Sequence, residues 1–265
     1  VPTTHNGDLD LYYTTAGAGQ PILWLQGLGA DHTAWTVQTI HFSRAFQCIL
    51  PDNRDTGRSA RAPGPYDIAT LAADALAVLD AEGVDAAHVV GLSMGAAIAQ
   101  ELALRATERV RSLTLLSGFA REDARMRAIT ALWADLYERL GTVMFHRSTE
   151  PWLFSPVFFE NPANLRPLLR YVEEAPYPQE ADAFTRQVGA THTHDTLDRL
   201  HTITAPTLVV HGEHDLLVPP AHGQQLADLI PNANLELRPG VAHSVNLEQQ
   251  GAFNRLLEAF LGSAQ

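Results

Sequence analysis

Apolar positions in the first third of the chain come in short, turn-bounded runs. Residues 9–15 are rich in tyrosine and threonine, 21–25 form an apolar run closed by Gln26-Gly27-Leu28-Gly29, and 46–50 end at Pro51-Asp52-Asn53. Each reads as a strand. Over 68–79 the period changes: Ile68, Leu71, Ala72, Ala75, Leu76 and Leu79 recur at helical spacing, and Gly83 supplies a stop. Residues 87–91 are too short and too β-branched for a helix, 96–104 read as an alanine-rich helix and 113–116 as a further strand. Near the end, 207–211 and 235–237 read as strands, with helices over 222–229 and 247–261. Strands alternating with helices predict βαβ units. The expected class is α/β, a mostly parallel twisted sheet with helices on both faces.

The alternation stops near Gly118 and resumes near Ala205. Residues 119–204 hold 11 of the chain's 20 aromatic residues, with helical patches and no convincing strand. This predicts a helical cap laid over a core built from 1–118 and 205–265. Pro151, Pro156, Pro162 and Pro167 are expected to break the middle of the cap into short pieces, a segment suited to a mobile lid. Most of its aromatics should form the cap's own core. Some of Trp133, Tyr137, Phe154, Phe158 and Phe159 are expected to line an apolar substrate pocket beneath it.

Composition narrows the possible chemistry. The 265 residues are 46% hydrophobic and 18% charged, enough for one full core with an insertion. All 18 basic residues are arginine, against 30 acidic ones, for a net charge of −12. The absence of lysine excludes a Schiff-base enzyme and a lysine-dependent phosphate loop. The acidic surplus argues against nucleic acid as a partner. The single Cys48 lies in an apolar run and reads as a buried small hydrophobe. No basic segment followed by an apolar run opens the chain, and no stretch reaches the roughly 18 apolar residues of a membrane span. A cytoplasmic enzyme acting on a small molecule, without a membrane partner, is the expectation.

Gly91-Leu92-Ser93-Met94-Gly95 is a G-x-S-x-G between a predicted strand and a predicted helix. A serine in that position sits on a strained turn that only close glycine neighbours permit, its hydroxyl projecting from the sheet edge. The helix beginning at Met94 points free N–H groups at the same place. A glycine-rich turn with an incidental serine is the alternative, and the strand-to-helix context weakens it. A serine hydroxyl is a poor nucleophile near neutral pH, so the motif calls for a histidine base and a carboxylate to orient it. Gly212-Glu213-His214-Asp215 and Gly240-Val241-Ala242-His243 each follow a late strand. Loops at the carboxyl ends of parallel strands converge. Ser93, Asp215 and His243 are therefore expected to meet, with Glu213 competing for the acid role and His214 for the base.

Taken with these motifs, the chain resembles the α/β-hydrolases over about residues 8–118 and 205–261. Four motifs carry the resemblance in order: Gln26-Gly27-Leu28-Gly29, the run from Asp52-Asn53-Arg54-Asp55 through Thr56-Gly57-Arg58-Ser59, the G-x-S-x-G, and the Asp215 and His243 loops. The resemblance implies an oxyanion hole made by the N–H groups of Leu28 and Met94, and a reaction needing no metal or organic cofactor. Two departures stand out. The first motif usually reads His-Gly and here reads Gln26-Gly27; because the oxyanion donor is a backbone N–H, activity should survive. The second usually has glycine at Asp55, which suggests a carboxylate–arginine contact with Arg54 or Arg58.

The stretch from Asp74 to the G-x-S-x-G is similar to small capped serine esterases and lactonases, among them polyketide methylesterases and enol-lactone hydrolases. Haloalkane dehalogenases and epoxide hydrolases attack with aspartate, unlike Ser93. Carbon–carbon bond hydrolases of ring cleavage typically place tryptophan where Ser244 stands. The expected function is hydrolysis of a small, largely apolar carboxylic ester. Lactone hydrolysis and cofactor-free perhydrolysis by the same residues remain open, as does a ligand receptor with little turnover. The histidine pairs His192-Thr193-His194 and His211-Gly212-Glu213-His214 lack a third ligand at metal-site spacing. Anionic esters are disfavoured unless Arg121, Arg125, Arg127, Arg139 or Arg147 gather at the site.

Overall fold

The computed structural model describes residues 2–264. The chain opens with strands β1 (Thr3–Asn6), β2 (Leu9–Ala16) and β3 (Gln20–Leu25), then helix α1 (Thr36–Phe42) and strand β4 (Phe46–Pro51). It continues through α2 (Ile68–Ala81), β5 (Ala87–Leu92), α3 (Met94–Arg105) and β6 (Val110–Leu116). Four helices follow before the sheet resumes: α4 (Ala124–Leu153), α5 (Pro156–Glu160), α6 (Pro162–Glu173) and α7 (Ala181–Thr193). The remainder is β7 (Thr207–Gly212), α8 (Pro220–Leu229), β8 (Ala233–Arg238), α9 (Val245–Glu248) and α10 (Gln250–Ser263).

The eight strands form one sheet in the order β1-β2-β4-β3-β5-β6-β7-β8. β1 and β2 pair antiparallel with their neighbours, and every pair from β4 to β8 is parallel. Because side chains alternate across a strand, each central strand feeds two cores. Leu23 and Leu25 of β3 pack with Val89 and Val209 beneath α2 and α3. Ile22 and Trp24 pack on the opposite face with Val90, Val210, Phe42 and Leu257. Both faces being buried explains why these strands read as nearly continuous apolar runs.

Two elements escape the hydrophobic pattern. β1 is a polar edge strand, Thr3-Thr4-His5-Asn6, held by main-chain pairing to β2. α1 contains four β-branched residues and buries Gln38, whose amide donates to Asn246 O at 3.0 Å. Tertiary contacts stabilise α1 where its own propensity does not.

Only two of the four prolines divide the inserted segment as expected. Pro156 and Pro162 open α5 and α6, where the missing N–H is harmless, while Pro151 and Pro167 lie inside helices. A further break, which no proline marks, comes at Gly141 (φ 69°, ψ 171°). A straight 30-residue helix would span about 45 Å, yet Arg125 stacks over Trp152 at 6.0 Å and Trp133 meets Phe145 edge-on at 6.0 Å. α4 is thus a helical hairpin turned at Gly141, and both its arms face the carboxyl ends of the strands.

Candidate active site

Ser93 leaves the carboxyl end of β5 at φ 57°, ψ −117°, a region costly for a residue with a side chain. Close packing holds it there. A Cβ on Gly91 would sit 2.2 Å from Gly95 O, and one on Gly95 would sit 2.0 Å from Leu25 O. The Ser93 N–H donates to Leu116 O at 2.9 Å, tying the turn to the neighbouring strand. Its hydroxyl makes no cap bond to α3 and opens onto a cavity of about 240 Å³, whose wall also includes His243.

Asp215 follows β7 and is fully buried. Its Oδ1 accepts from the N–H groups of Leu217 (3.0 Å) and Val218 (2.8 Å), leaving Oδ2 aimed at His243 Nδ1, 2.8 Å away. That contact places the proton of a neutral His243 on Nδ1 and leaves Nε2 as the acceptor. Glu213 and His214 are exposed, and Glu213 accepts instead from Gly240 N–H. Below Asp215, His211 Nε2 donates to Val218 O at 3.1 Å and lies 3.8 Å from Asp215 Oδ2. Burial pushes the His211 imidazole down to about 4 against the pull of Asp215, so it stays neutral.

Two residues missed in the sequence position the histidine loop. Ser117, at φ 48° just past β6, donates its hydroxyl to His243 O at 2.7 Å. Glu248 accepts from Ala242 N–H at 2.8 Å, while its other oxygen takes Ser155 N–H and the Ser155 hydroxyl. The polar Ser117 ending an apolar strand was the available signal. Nothing local to Glu248 marks its role.

The turn after β3 passes close to the serine: a Cβ on Gly27 would lie 3.4 Å from Ser93 Cβ. Gly29 N–H donates to Gln187 Oε1 of α7 at 3.0 Å, and Ala30 N–H to Gly27 O at 3.3 Å. Leu28 N–H is left without an acceptor among the described residues. Met94, the first residue of α3, likewise has no intrahelical acceptor. Gln26 is fully buried and its amide donates to Pro51 O at 2.8 Å, joining the ends of β3 and β4.

Asp55 does not pair with Arg54 or Arg58. Arg54 forms a bidentate pair with Asp74 at 2.6 Å, and Arg58 lies over the ring of Tyr12. Asp55 instead receives Arg186 of α7, with Nε to Oδ2 at 2.9 Å and Nη2 to Oδ1 at 2.7 Å. The partner is 131 residues away, beyond reach of local reasoning.

Trp133, Tyr137 and Phe154 line the cavity. Phe158 stacks on Phe154 (ring centroids 4.2 Å apart) and Phe159 packs edge-on against Phe158, so both stand behind the wall. Tyr137 stacks on Phe184, another wall residue. None of the five arginines considered from the sequence lines the cavity. Asp31, His32 and Asp52 could group around a metal, but the Asp52 oxygens already accept from His32 N–H and Arg58 N–H at 2.8 Å, and Asp31 caps Thr33.

A family model described as the alpha/beta hydrolase fold matches residues 20–250. RutD of Azorhizobium caulinodans, provisionally named a carbamate hydrolase, is 36% identical over 99% of this chain and 98% of its own. The solved enol-lactonase of Burkholderia xenovorans LB400 is 26% identical, covering 98% of this chain and 100% of its own, with a TM-score of 0.89. Est816, described as an N-acyl homoserine lactone degrading enzyme, is 30% identical over 98% of this chain and 100% of its own, with a TM-score of 0.84. The sheet order, the strained turn after β5 and these likenesses agree: the chain belongs to the α/β-hydrolase fold family.

Proposed function

We propose that the protein is a serine hydrolase that cleaves a carboxylic ester of a small, largely apolar substrate through an acyl-enzyme on Ser93. The observation that carries this reading is the 2.8 Å contact between buried Asp215 and His243, whose ring shares a cavity wall with the strained Ser93. His243 Nε2 takes the Ser93 proton as Oγ attacks the carbonyl carbon, and Asp215 stabilises the resulting imidazolium. The N–H groups of Leu28 and Met94 receive the developing oxyanion, each worth on the order of 3 kcal/mol. His243 then passes its proton to the departing alcohol. Water, deprotonated by the same imidazole, attacks the acyl-enzyme and releases the acid. The helices between β6 and β7 act as a cap that closes the cavity over the reacting carbonyl and excludes bulk water.

The likeness to the enol-lactonase and to Est816 favours a lactone as a second reading, since opening the ring uses the same attack and the leaving alcohol stays tethered. The likeness to RutD adds a carbamate to the compounds worth trying.

The test is stoichiometric labelling by a fluorophosphonate probe, together with rates on p-nitrophenyl esters of increasing acyl length, one lactone and one carbamate. Rapid labelling of wild type, none of Ser93→Ala, and a loss of about 10⁴-fold or more in kcat for that variant are expected. Ser93→Ala retaining full esterase activity would overturn the reading, and folded wild type that resists the probe would favour a receptor.

A further inference from the structure

The cavity carries a polar group that the proposed acyl transfer does not use. Glu122 lies in its wall with a side chain only 2% exposed, and its Oε2 has no hydrogen-bond partner among the described residues. Of the neighbouring donors, the Thr191 hydroxyl is directed to Val188 O at 2.9 Å, and His192 Nε2 is 3.6 Å away but 2.9 Å from Thr130 Oγ1. Thr130 has one hydroxyl proton, directed to Met126 O at 3.0 Å, so the His192 N–H is engaged by Thr130. Helix capping does not explain Glu122 either. Asp123 is the N-cap of α4, accepting from Met126 N–H at 2.8 Å. A buried carboxyl with one oxygen lacking a donor is costly to maintain, and a ligand that brings the donor relieves that cost.

The rest of the cavity says which donor fits. Its wall includes the acidic residues Asp31, Glu122 and Glu150 and no arginine, in a chain with no lysine. His146, also in the wall, is held neutral by burial. Burial likewise pushes the Glu122 carboxyl up to about 7, with the Thr191 side chain and Arg127 opposing the effect and Asp123 adding to it, so a bound cation would draw it into the ionised form.

We propose that Glu122 is a specificity-determining residue that accepts a hydrogen bond from a cationic N–H of the substrate, so that small esters carrying a protonated amine are preferred over uncharged and anionic ones. This rests on the hydrolase reading above for the word ester, while the recognition itself is a property of the cavity. The apolar walls hold the carbon skeleton, and one buried acid selects among skeletons of the same shape.

A matched pair tests it: 2-(dimethylamino)ethyl butyrate, whose ammonium carries one N–H, against 3-methylbutyl butyrate, in which carbon replaces that nitrogen. Calorimetric binding to Ser93→Ala near pH 7.5 should favour the ammonium ester by tenfold or more. Adding Glu122→Gln should reduce that preference at least fivefold, with the melting temperature showing that the variant is folded. If the Gln variant does not fold, Glu122→Asp, which withdraws the carboxyl by one methylene, should show the same direction of change. Equal binding of the two esters to Ser93→Ala overturns the proposal. So does a preference that survives the Glu122 change, or one erased by Glu150→Gln alone. Binding to Ser93→Ala needs no turnover, so failure of the wild type to hydrolyse any ester would sink the hydrolase reading and leave this result standing.

Discussion

Ser93 keeps its strained backbone because the neighbouring glycines leave no room for anything else to relax. Gly95 packs against the Leu25 carbonyl so closely that a Cβ would lie 2.0 Å away, whereas a Cβ on Gly64 would meet nothing within 4 Å. Gly95→Ala should therefore cost about 3 kcal/mol or more, by forced displacement of main chain, while Gly64→Ala stays within about 1 kcal/mol of wild type. Urea denaturation of the two variants side by side checks this. Glu122 makes a separate prediction about pH. Its folded value of about 7 lies above its ordinary 4.5, so the folded state holds the proton more tightly and stability falls as pH rises through that window. The cost above pH 7 is on the order of 3 kcal/mol. Glu122→Gln should melt higher than wild type at pH 8, with the gap closing toward pH 5; a gap independent of pH would show that the carboxyl is not titrating there.

The inserted helices are fastened to the sheet by a few long-range polar contacts. Arg186 and Gln187 on α7 reach Asp55 after β4 and Gly29 after β3, so one helix holds both the loop bearing the unusual aspartate and the turn proposed to supply an oxyanion donor. Asp55 is buried at φ 70°, a backbone conformation where glycine would be at ease, and Arg186 is mostly buried above it. Arg186→Met strands the Asp55 charge and should cost about 3–5 kcal/mol, the usual penalty for breaking a buried pair. Combining it with Asp55→Gly removes the stranded charge and suits the positive φ. The double variant should therefore recover part of that loss in chemical denaturation, the remainder reflecting Ala62 N–H, which donates to Asp55 Oδ1 at 2.9 Å and loses its acceptor; no recovery at all would show that the stranded charge is not the source of the loss. Local signals identified the strands and the helices flanking the G-x-S-x-G because each carries its own periodicity. The hairpin in α4 was not legible: proline punctuates a helix visibly in sequence, but Pro151 sits inside α4 and the reversal falls at Gly141, whose positive φ is known only from the packed arms.

Across the whole molecule, buried imidazoles decide the response to acid. Burial lowers His88, His146, His194 and His211 to about 4. A histidine neutral in the fold but free to protonate near 6.5 when unfolded supports stability above that pH. That support is lost as pH falls toward 4, at up to about 1.4 kcal/mol per group per pH unit. Glu122, and His32 raised by its Asp52 contact against the effect of burial, act in the opposite direction and only partly offset the four. Unfolding free energy should fall steeply between pH 6.5 and 5; a flat profile there would contradict the neutral state of these rings. The net charge of −12 also takes on a location, since part of the acidic excess lines the cavity and no arginine does.

The sequence by itself determined the α/β class, the strand-to-helix turn presenting Ser93, and the loops carrying Asp215 and His243. These follow from short-range rules: alternation, helical period, and the glycines that a tight turn requires. Tertiary structure alone decided that Asp215 and not Glu213 contacts His243, that Arg186 and not Arg54 answers Asp55, and that Phe158 and Phe159 stand behind the cavity wall. It also placed Glu122 inside the cavity without a partner. Each of these depends on where chain segments far apart in sequence come to rest. Packing and desolvation set those positions, and a one-dimensional pattern carries no record of either.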